Sequence, residues 1–179
     1  GDAIGIQPYT ATGDPLRQMQ LRRPLDFAAV TDHAELFGEL TICDTPDLPG
    51  YSSPICRIYR WWPRLAFYLM NTHAANSTTP TRYGFCGPEA EGCRLAARTP
   101  WQVMQEAAEE AYDRSATCAF TTFVGYEWTG SPGSNNIHRN VIFRNASVPE
   151  LPISYNDAPQ PQTLWQRLAQ ECVQGQPGC

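Results

Sequence analysis

Two parts of the sequence end an apolar run in residues that can bind metals. The first part is residues 27–35, which read FAAVTDHAE. The second part contains residues 123–129, which read FVGYEWT, and residues 136–143, which read NIHRNVIF. In α/β barrels, a buried strand that ends in Asp, His or Glu delivers catalytic groups to one rim of the barrel. Imidazole and carboxylate groups at such a rim bind divalent metals. The pattern predicts a metal-dependent hydrolase site that is incomplete in this chain.

His33 and its neighbour Asp32 follow the first apolar run. A neutral imidazole is a good ligand for zinc, iron or manganese, and an adjacent carboxylate can bind the metal or orient the ring. The alternative is a capping Asp32 beside a surface His33 at the start of a loop. Spacing alone leaves both interpretations open.

Glu127 lies late in a run of hydrophobic and aromatic residues. A buried, unpaired carboxylate is unfavourable, so Glu127 requires a metal, an arginine or several hydrogen-bond donors. A glutamate that bridges two cations suits two-metal hydrolysis. The alternative is an ion pair with Arg139 or Arg144.

His138 opens the third apolar run, directly after a predicted turn. It is a candidate metal ligand or a hydrogen-bonded structural histidine. Arg139 beside it is suited to bind an anionic substrate oxygen, and a solvated or salt-bridged arginine is the alternative. The remaining histidine, His73, is expected at the surface or in a loop.

Composition restricts the function classes. The 179 residues carry a net charge of −5, which argues against nucleic-acid binding, and all 13 basic residues are arginine, which excludes a lysine nucleophile. The length is that of one domain. No membrane span or targeting segment is visible in the sequence. The motifs of serine hydrolases, zinc proteases, phosphate loops and dinucleotide sites are absent as well.

Seven cysteines are many for a cytosolic protein of this size. Six of them form closely spaced pairs: Cys43 with Cys56, Cys86 with Cys93, and Cys172 with Cys179. Spacing does not determine the connectivity, but no C-x-x-C pair occurs, which argues against a structural zinc site. Local disulfides in an oxidising compartment are therefore expected, with buried free thiols as the alternative. The seventh, Cys118, is expected to be a buried free thiol.

The predicted elements alternate between strands and helices. Strands are predicted over residues 25–31, 119–128 and 137–144, and helices over residues 57–71, from Thr99 onward, and over residues 162–173. Loops or turns are predicted over residues 1–24, 42–56, 72–98 and 130–136. Thr99 is a suitable N-cap before Pro100 at the first helical position. This order favours βαβ units and a mostly parallel sheet.

These motifs resemble one branch of the PHP (polymerase and histidinol phosphatase) superfamily, the domain-of-unknown-function 3604 family. Residues 21–35 are similar to its second motif, and residues 123–129 and 136–143 are similar to its next two. The resemblance implies an α/β fold, with a partial distorted (β/α)7 barrel of mostly parallel strands, helices outside and long disulfide-containing loops. It also implies two or three divalent ions of zinc, manganese or iron at the C-terminal rim.

Carried over by motif, the resemblance makes His33, Glu127 and His138 metal ligands, with Glu127 in a bridging position. Asp32 would bind the metal or support a ligand. Arg139 would lie near the substrate anion. The implied substrate is a small phosphate or sulfate ester, hydrolysed by a metal-activated water.

The superfamily's first His-x-His motif, a later histidine and its final Asp-x-His motif are absent. We therefore expect residues 1–179 to be one segment of a PHP-like metallohydrolase domain, with the flanking N- and C-terminal parts outside it. The isolated segment is expected to bind metal weakly and to hydrolyse little. The expected disulfides indicate a periplasmic or secreted location. The alternatives are a non-catalytic PHP-like module and a disulfide-stapled binding domain.

Overall fold

The computed structural model describes residues 3–75 and 78–174. Its strands are β1 (Ile4–Tyr9), β2 (Pro15–Met19), β3 (Phe27–Ala29), β4 (Thr121–Phe123), β5 (Gly125–Gly130) and β6 (Ile137–Ile142). Its α-helices are α1 (Phe37–Asp44), α2 (Pro54–Trp61), α3 (Pro63–Ala75), α4 (Glu91–Ala111) and α5 (Pro161–Leu168). A π-helical segment, Ala169–Gln174, continues α5. The fold is mixed α/β.

The six strands form three separate two-stranded sheets. β1 with β2 and β5 with β6 are antiparallel, whereas β3 with β4 is parallel. Among the described residues no barrel closes, so the predicted partial (β/α)7 barrel of mostly parallel strands is wrong. A parallel barrel needs each strand to pair on both sides and to be followed by a crossover helix. Here β5 instead returns through a short turn as β6, and the two pair as a hairpin.

The N-terminal segment is a β-hairpin, and the loop predicted over residues 1–24 is wrong for its described part. β1 and β2 pair antiparallel, with Ile4 opposite Met19. In the turn, Thr10 N–H donates to the Asp14 carbonyl over 2.8 Å, and the Thr10 hydroxyl accepts from Asp14 N–H over 2.9 Å. Cross-strand backbone bonds hold such a pair without an apolar face, so hydrophobic periodicity did not detect it.

β3 is shorter and more exposed than the buried strand predicted over residues 25–31. It covers three residues. Phe27 at its start is 64% exposed, and Val30 just beyond its end is 69% exposed. An apolar sequence does not by itself bury a strand, because burial requires a second layer of structure to cover it.

α4 begins well before the helix start predicted at Thr99, so Thr99 and Pro100 both lie inside it. Pro100 removes one intrahelical N–H. The next residue, Trp101, is 1% exposed, and its indole N–H donates to a backbone carbonyl over 3.0 Å. The turns before Thr99 bury Cys93 and Ala96, and this tertiary packing outweighs the local start signal. The loop predicted over residues 72–98 is correspondingly shorter.

The helix predicted over residues 57–71 is two helices, α2 and α3, separated by Trp62. Pro63 begins α3, a position that its missing N–H favours. α2 starts earlier than predicted because the Ser53 hydroxyl accepts from Cys56 N–H over 3.4 Å and caps the helix.

The C-terminal half agrees more closely with the predicted elements. β6 confirms the strand predicted over residues 137–144, and α5 with its π-helical continuation confirms the helix over residues 162–173. The strand predicted over residues 119–128 is interrupted at Val124. This interruption separates β4, which pairs with β3, from β5, which pairs with β6.

The largest core cluster is built around β5 and the segments that pack on it. Its four largest fully buried side chains are Trp101, Tyr126, Trp128 and Tyr155. The indole N–H of Trp128 donates to a backbone carbonyl over 2.9 Å, so this buried polar group is satisfied. Because side chains alternate along a strand, Glu127 and Thr129 point away from Tyr126 and Trp128.

Two predicted disulfides are confirmed: Cys43–Cys56 and Cys86–Cys93. The first joins α1 to α2, and the second joins a short turn to α4. The third expected pair includes Cys179, which lies outside the described residues. Cys118 is a free thiol as predicted, but it is exposed rather than buried. None of the described helices is long and apolar enough to cross a membrane.

Candidate metal centre

Three side chains from separate segments meet at one place: His33, Glu127 and His138. His33 immediately precedes a short 3-10 turn, Glu127 is in β5 and His138 is in β6. A parallel bridge joins His33 to Glu127, and Glu127 N–H donates to the Asp32 carbonyl over 2.8 Å. Each side chain offers one ligand atom, and these atoms lie within 4.8 Å of one another. Three protein ligands are typical of catalytic metal sites that keep a position open.

Glu127 is the shared partner of both histidines. Its Oε1 lies 3.8 Å from Nδ1 of His33 and also contacts Nδ1 of His138. The Glu127 side chain is 17% exposed, and the imidazoles of His33 and His138 are 59% and 50% exposed, so a small ligand can reach the group. In the described part of the chain, the ion-pair partners of Glu127 are thus histidines and not Arg139 or Arg144.

Thr129 links Glu127 to His138. It lies opposite His138 in the β5–β6 ladder, two residues beyond Glu127 on the same face. Its hydroxyl donates to Glu127 Oε1 over 2.7 Å and lies 3.0 Å from Nδ1 of His138. The Thr129 hydroxyl thereby holds the side chains of Glu127 and His138 next to each other.

Glu35 lies next to this group and is buried, with 5% of the residue exposed. Its Oε1 accepts from the backbone N–H of Thr129 over 2.8 Å and from that of Tyr155 over 3.3 Å. Its Oε2 lies 3.7 Å from Nδ1 of His33. Glu35 therefore connects His33 and the backbone of Thr129 to the loop at Tyr155.

The carboxylates around His33 favour its charged form. The neighbouring Glu35 carboxylate raises the pKa of His33 above its ordinary value, and the charge of Glu127 raises it further. Partial burial lowers this pKa, but the two carboxylates outweigh it. Burial alone would raise the pKa of Glu127, but the hydrogen bonds from Thr129 and His138 outweigh it and hold this pKa below its ordinary value. Glu127 is thus ionised, which a metal ligand requires.

Asp32 and Arg139 lie beside the centre. Asp32 contributes its carbonyl to Glu127, and its exposed side chain lines a different, apolar cleft next to α4. Arg139 alternates with His138 along β6, and its guanidinium donates to the His138 carbonyl over 2.7 Å. Among the described residues, neither side chain is part of the cluster formed by His33, Glu127 and His138. Their proposed roles stay predictions.

An ionic network lies next to Glu35; its members Arg82, Glu39 and Asp157 are mostly buried, and Arg94 is half exposed. Arg82 donates to both oxygens of Glu39 over 3.0 and 3.1 Å, to Asp157 over 3.2 Å and to the Glu35 carbonyl over 3.3 Å. Arg94 of α4 donates to the other oxygen of Asp157 over 3.0 Å. The network joins α1, α4 and the loop around Asp157. It was not predicted, because its members come from four distant parts of the sequence.

The remaining titratable groups do not add a second centre within the described residues. Glu39 lies close to Cys86 and Cys93, but these sulfurs form a disulfide and are not available as thiolate ligands. His73 is exposed on α3, and its ring stacks on Tyr83 with a centroid separation of 4.3 Å. This agrees with the expected surface position.

A cavity of about 520 Å³ opens beside the centre. His33, Thr129 and His138 are among its polar lining residues, and most of its apolar lining residues belong to α1, α2 and α3. A volume of several hundred Å³ is typical of sites for small organic molecules. The geometry therefore combines three metal-binding groups with room for a ligand.

The sequence as a whole matches a family model. The family described as Protein of unknown function (DUF3604) matches residues 7–178. The chain belongs to this family. No curated protein and no solved structure matches the chain at a significant level.

In this DUF3604 chain, two residues of the site were assigned no role from the sequence: Glu35 and Thr129. Both lie within the motifs that drew attention to His33 and Glu127, each two positions further along. In a strand, residues two apart share a face, so this spacing was the available signal for Thr129 in β5. Glu35 lies in the 3-10 turn after His33, where strand spacing does not apply.

Proposed function

We propose that this DUF3604 chain carries the centre of a metal-dependent hydrolase of small phosphate or sulfate esters, and that it is related to the PHP superfamily. The observation that carries the proposal is the convergence of His33, Glu127 and His138, with ligand atoms within 4.8 Å. Zinc, manganese and iron all accept imidazole and carboxylate ligands, so each is a candidate. The order of the three motifs supports the PHP relationship.

His33, Glu127 and His138 would hold the metal. A bound divalent ion supplies a Lewis acid for the ester oxygens and lowers the pKa of a coordinated water, so no side-chain nucleophile is needed. The proposal includes two or three ions, which require further ligands. Glu35 is a candidate, since its Oε2 lies 3.7 Å from Nδ1 of His33.

The other residues of the centre position these ligands. Thr129 holds Glu127 and His138 through its hydroxyl, and Glu35 holds the backbone of Thr129. Such supporting contacts fix the orientation of metal ligands. Arg139 stays the proposed contact for the anionic ester oxygens on the chemistry of its guanidinium, which binds them with two parallel hydrogen bonds. In the structure Arg139 alternates with His138 along β6 and donates to the His138 carbonyl. Local positive charge matters here, since the chain as a whole has a net charge of −5.

A periplasmic or secreted location is part of the proposal. Two disulfides, Cys43–Cys56 and Cys86–Cys93, support it. Disulfides persist in oxidising compartments and are rare in the cytosol.

The test is the metal content of protein made from the complete reading frame and grown with manganese, zinc and iron. Glu127→Gln keeps the shape of the side chain but removes a metal-binding carboxylate. We expect the wild-type protein to contain bound metal and to hydrolyse phosphate and sulfate monoesters. A folded Glu127→Gln protein should have lost both the metal and the hydrolysis. Glu110→Gln, which changes an exposed glutamate on α4, is the matched control.

Two results would overturn the proposal. One is a well-folded wild type without metal after growth with all three ions. The other is a Glu127→Gln protein that keeps the metal content and the turnover of the wild type. Circular dichroism and thermal melting separate loss of metal from loss of fold.

A further inference from the structure

The cavity beside the candidate centre is lined both by ionisable groups and by apolar side chains that come from different elements. Its lining includes His33, Glu35 and His138, which belong to the candidate centre, and one further ionisable residue, Tyr59. The lining also contains a group of apolar and aromatic side chains, most of them from α1, α2 and α3: Leu36, Leu40, Tyr59, Pro63, Phe67 and Met70. A molecule bound in the cavity would thus contact both metal-binding groups and hydrocarbon.

The polar side chains of the cavity wall are already hydrogen-bonded. The Asn71 amide donates to the Phe67 carbonyl over 2.7 Å, and the Ser131 hydroxyl bonds the Asn136 side chain. The Tyr59 hydroxyl donates to Asp44 over 3.2 Å, so its ring supplies the surface that lines the cavity. These contacts use part of the hydrogen-bonding capacity that Asn71, Ser131 and Asn136 would offer to hydroxyls on a ligand.

The apolar side chains of the lining determine which alcohol group of an ester would bind in the cavity. A sugar or polyol would give up hydration on contact with these side chains and would find few replacement hydrogen bonds among them. A compact hydrocarbon or aromatic group would instead remove apolar surface from water, both its own and that of Phe67, Leu36 and Leu40. The volume of about 520 Å³ accommodates a ring of this kind.

We infer that the substrates are phosphate or sulfate monoesters of compact apolar alcohols, with the anionic group at His33 and His138 and the alcohol group against α3. The inference rests on the proposed hydrolase function, and names the substrate class of the same site. The wall of α1, α2 and α3 then determines specificity, while the β5–β6 hairpin and the segment at His33 supply the metal-binding groups.

Two consecutive aromatic residues of α3 provide a matched pair of variants. Phe67 lines the cavity and is 71% exposed, whereas Tyr68, which is not among the lining residues, is 66% exposed. Because both side chains are largely exposed, neither Phe67→Ala nor Tyr68→Ala should unfold the protein. A difference between the two variants therefore reports on the cavity.

The first measurement compares kcat/KM for cyclohexyl and inositol monoesters, as phosphates and as sulfates, using metal-loaded protein from the complete reading frame. The two alcohols share a six-membered carbon ring and differ in hydroxyl groups. We expect the cyclohexyl ester to be preferred by about tenfold or more. Phe67→Ala should reduce kcat/KM for the cyclohexyl ester several-fold and leave that for the inositol ester unchanged, and Tyr68→Ala should affect neither.

A second measurement tests the cavity without catalysis. Titration with 2-naphthol, followed by its fluorescence, should show saturable binding that Phe67→Ala weakens and that Tyr68→Ala and Glu127→Gln do not. Equal kcat/KM for the two esters, or a preference for inositol, overturns the inference and leaves the hydrolase proposal intact. Failure to hydrolyse any of the esters overturns the hydrolase proposal, and the naphthol titration then decides separately whether the cavity binds an apolar group.

Discussion

The carboxylate of Glu35 accepts a 2.8 Å hydrogen bond from the backbone N–H of Thr129, 94 residues further along the chain. The same oxygen accepts from the backbone N–H of Tyr155. Because this carboxylate is buried, water competes little for these bonds. One side chain thereby fixes the distance between the segment that carries His33 and the strand that carries Glu127.

Glu35→Ala is expected to lower the free energy of unfolding by about 1–3 kcal/mol, because two buried backbone N–H groups lose their acceptor. Glu35→Gln keeps a carbonyl oxygen at this position and should retain most of the stability. Urea denaturation followed by tryptophan fluorescence measures both variants. Equal stability of the Ala and Gln variants would show that the two hydrogen bonds contribute little.

Thr129→Val is expected to weaken metal binding by about tenfold or more while the protein stays folded. Valine has nearly the shape of threonine but cannot bond Glu127 or His138. Calorimetric titration of the metal-depleted protein with Mn²⁺ or Zn²⁺ measures the affinity. Thr121→Val in β4 is the control for a threonine-to-valine change in a strand. Wild-type affinity in Thr129→Val would exclude a positioning role for the hydroxyl.

Replacing Cys43 and Cys56 together by alanine is expected to lower the free energy of unfolding by about 2–4 kcal/mol. The disulfide closes a loop with a sequence separation of 13 and joins α1 to α2. The change is read from chemical denaturation under non-reducing conditions. Cys118→Ala, which removes an exposed free thiol, should leave stability nearly unchanged. Equal effects of the two changes would refute this structural role.

Asp157→Asn is expected to destabilise the protein by about 2–3 kcal/mol at pH 7, and the difference from wild type should disappear in acid. Burial alone would raise the pKa of Asp157, but Arg82, Ser154 and Arg94 hold it below its ordinary value. A carboxyl whose pKa is lowered by folding contributes its full stabilisation above its unfolded pKa of about 4 and loses it as the pH falls through the folded pKa.

Urea midpoints of wild type and Asp157→Asn, measured between pH 2 and pH 7, test this pH dependence. The two curves should converge on the acid side. A constant difference across the whole range would mean that the ionised form of Asp157 is not the source of its contribution.

Local sequence signals were sufficient where the structure depends on nearby residues. The apolar run of β6 and the periodicity of α5 predicted both elements, and the disulfides between Cys43 and Cys56 and between Cys86 and Cys93 join residues close in sequence. In each case a few consecutive residues carry the necessary pattern.

The same signals failed where contacts between distant segments decide the outcome. The start of α4 depends on how Cys93 and Ala96 pack, and the exposure of Phe27 depends on which elements lie over β3. The partial barrel was wrong for a related reason. Apolar runs indicate strands, but they do not specify whether β5 pairs with a parallel neighbour or turns back as a hairpin.

For the site, the sequence by itself named His33, Glu127 and His138 as candidate ligands, because few other residue types bind metals and each lies at or near one end of an apolar run. It did not determine that Glu127 lies between the two histidines, or that Glu35 and Thr129 support it. Those relationships belong to the tertiary structure, since hydrogen bonds and burial depend on positions that residues far apart in the chain reach only after folding.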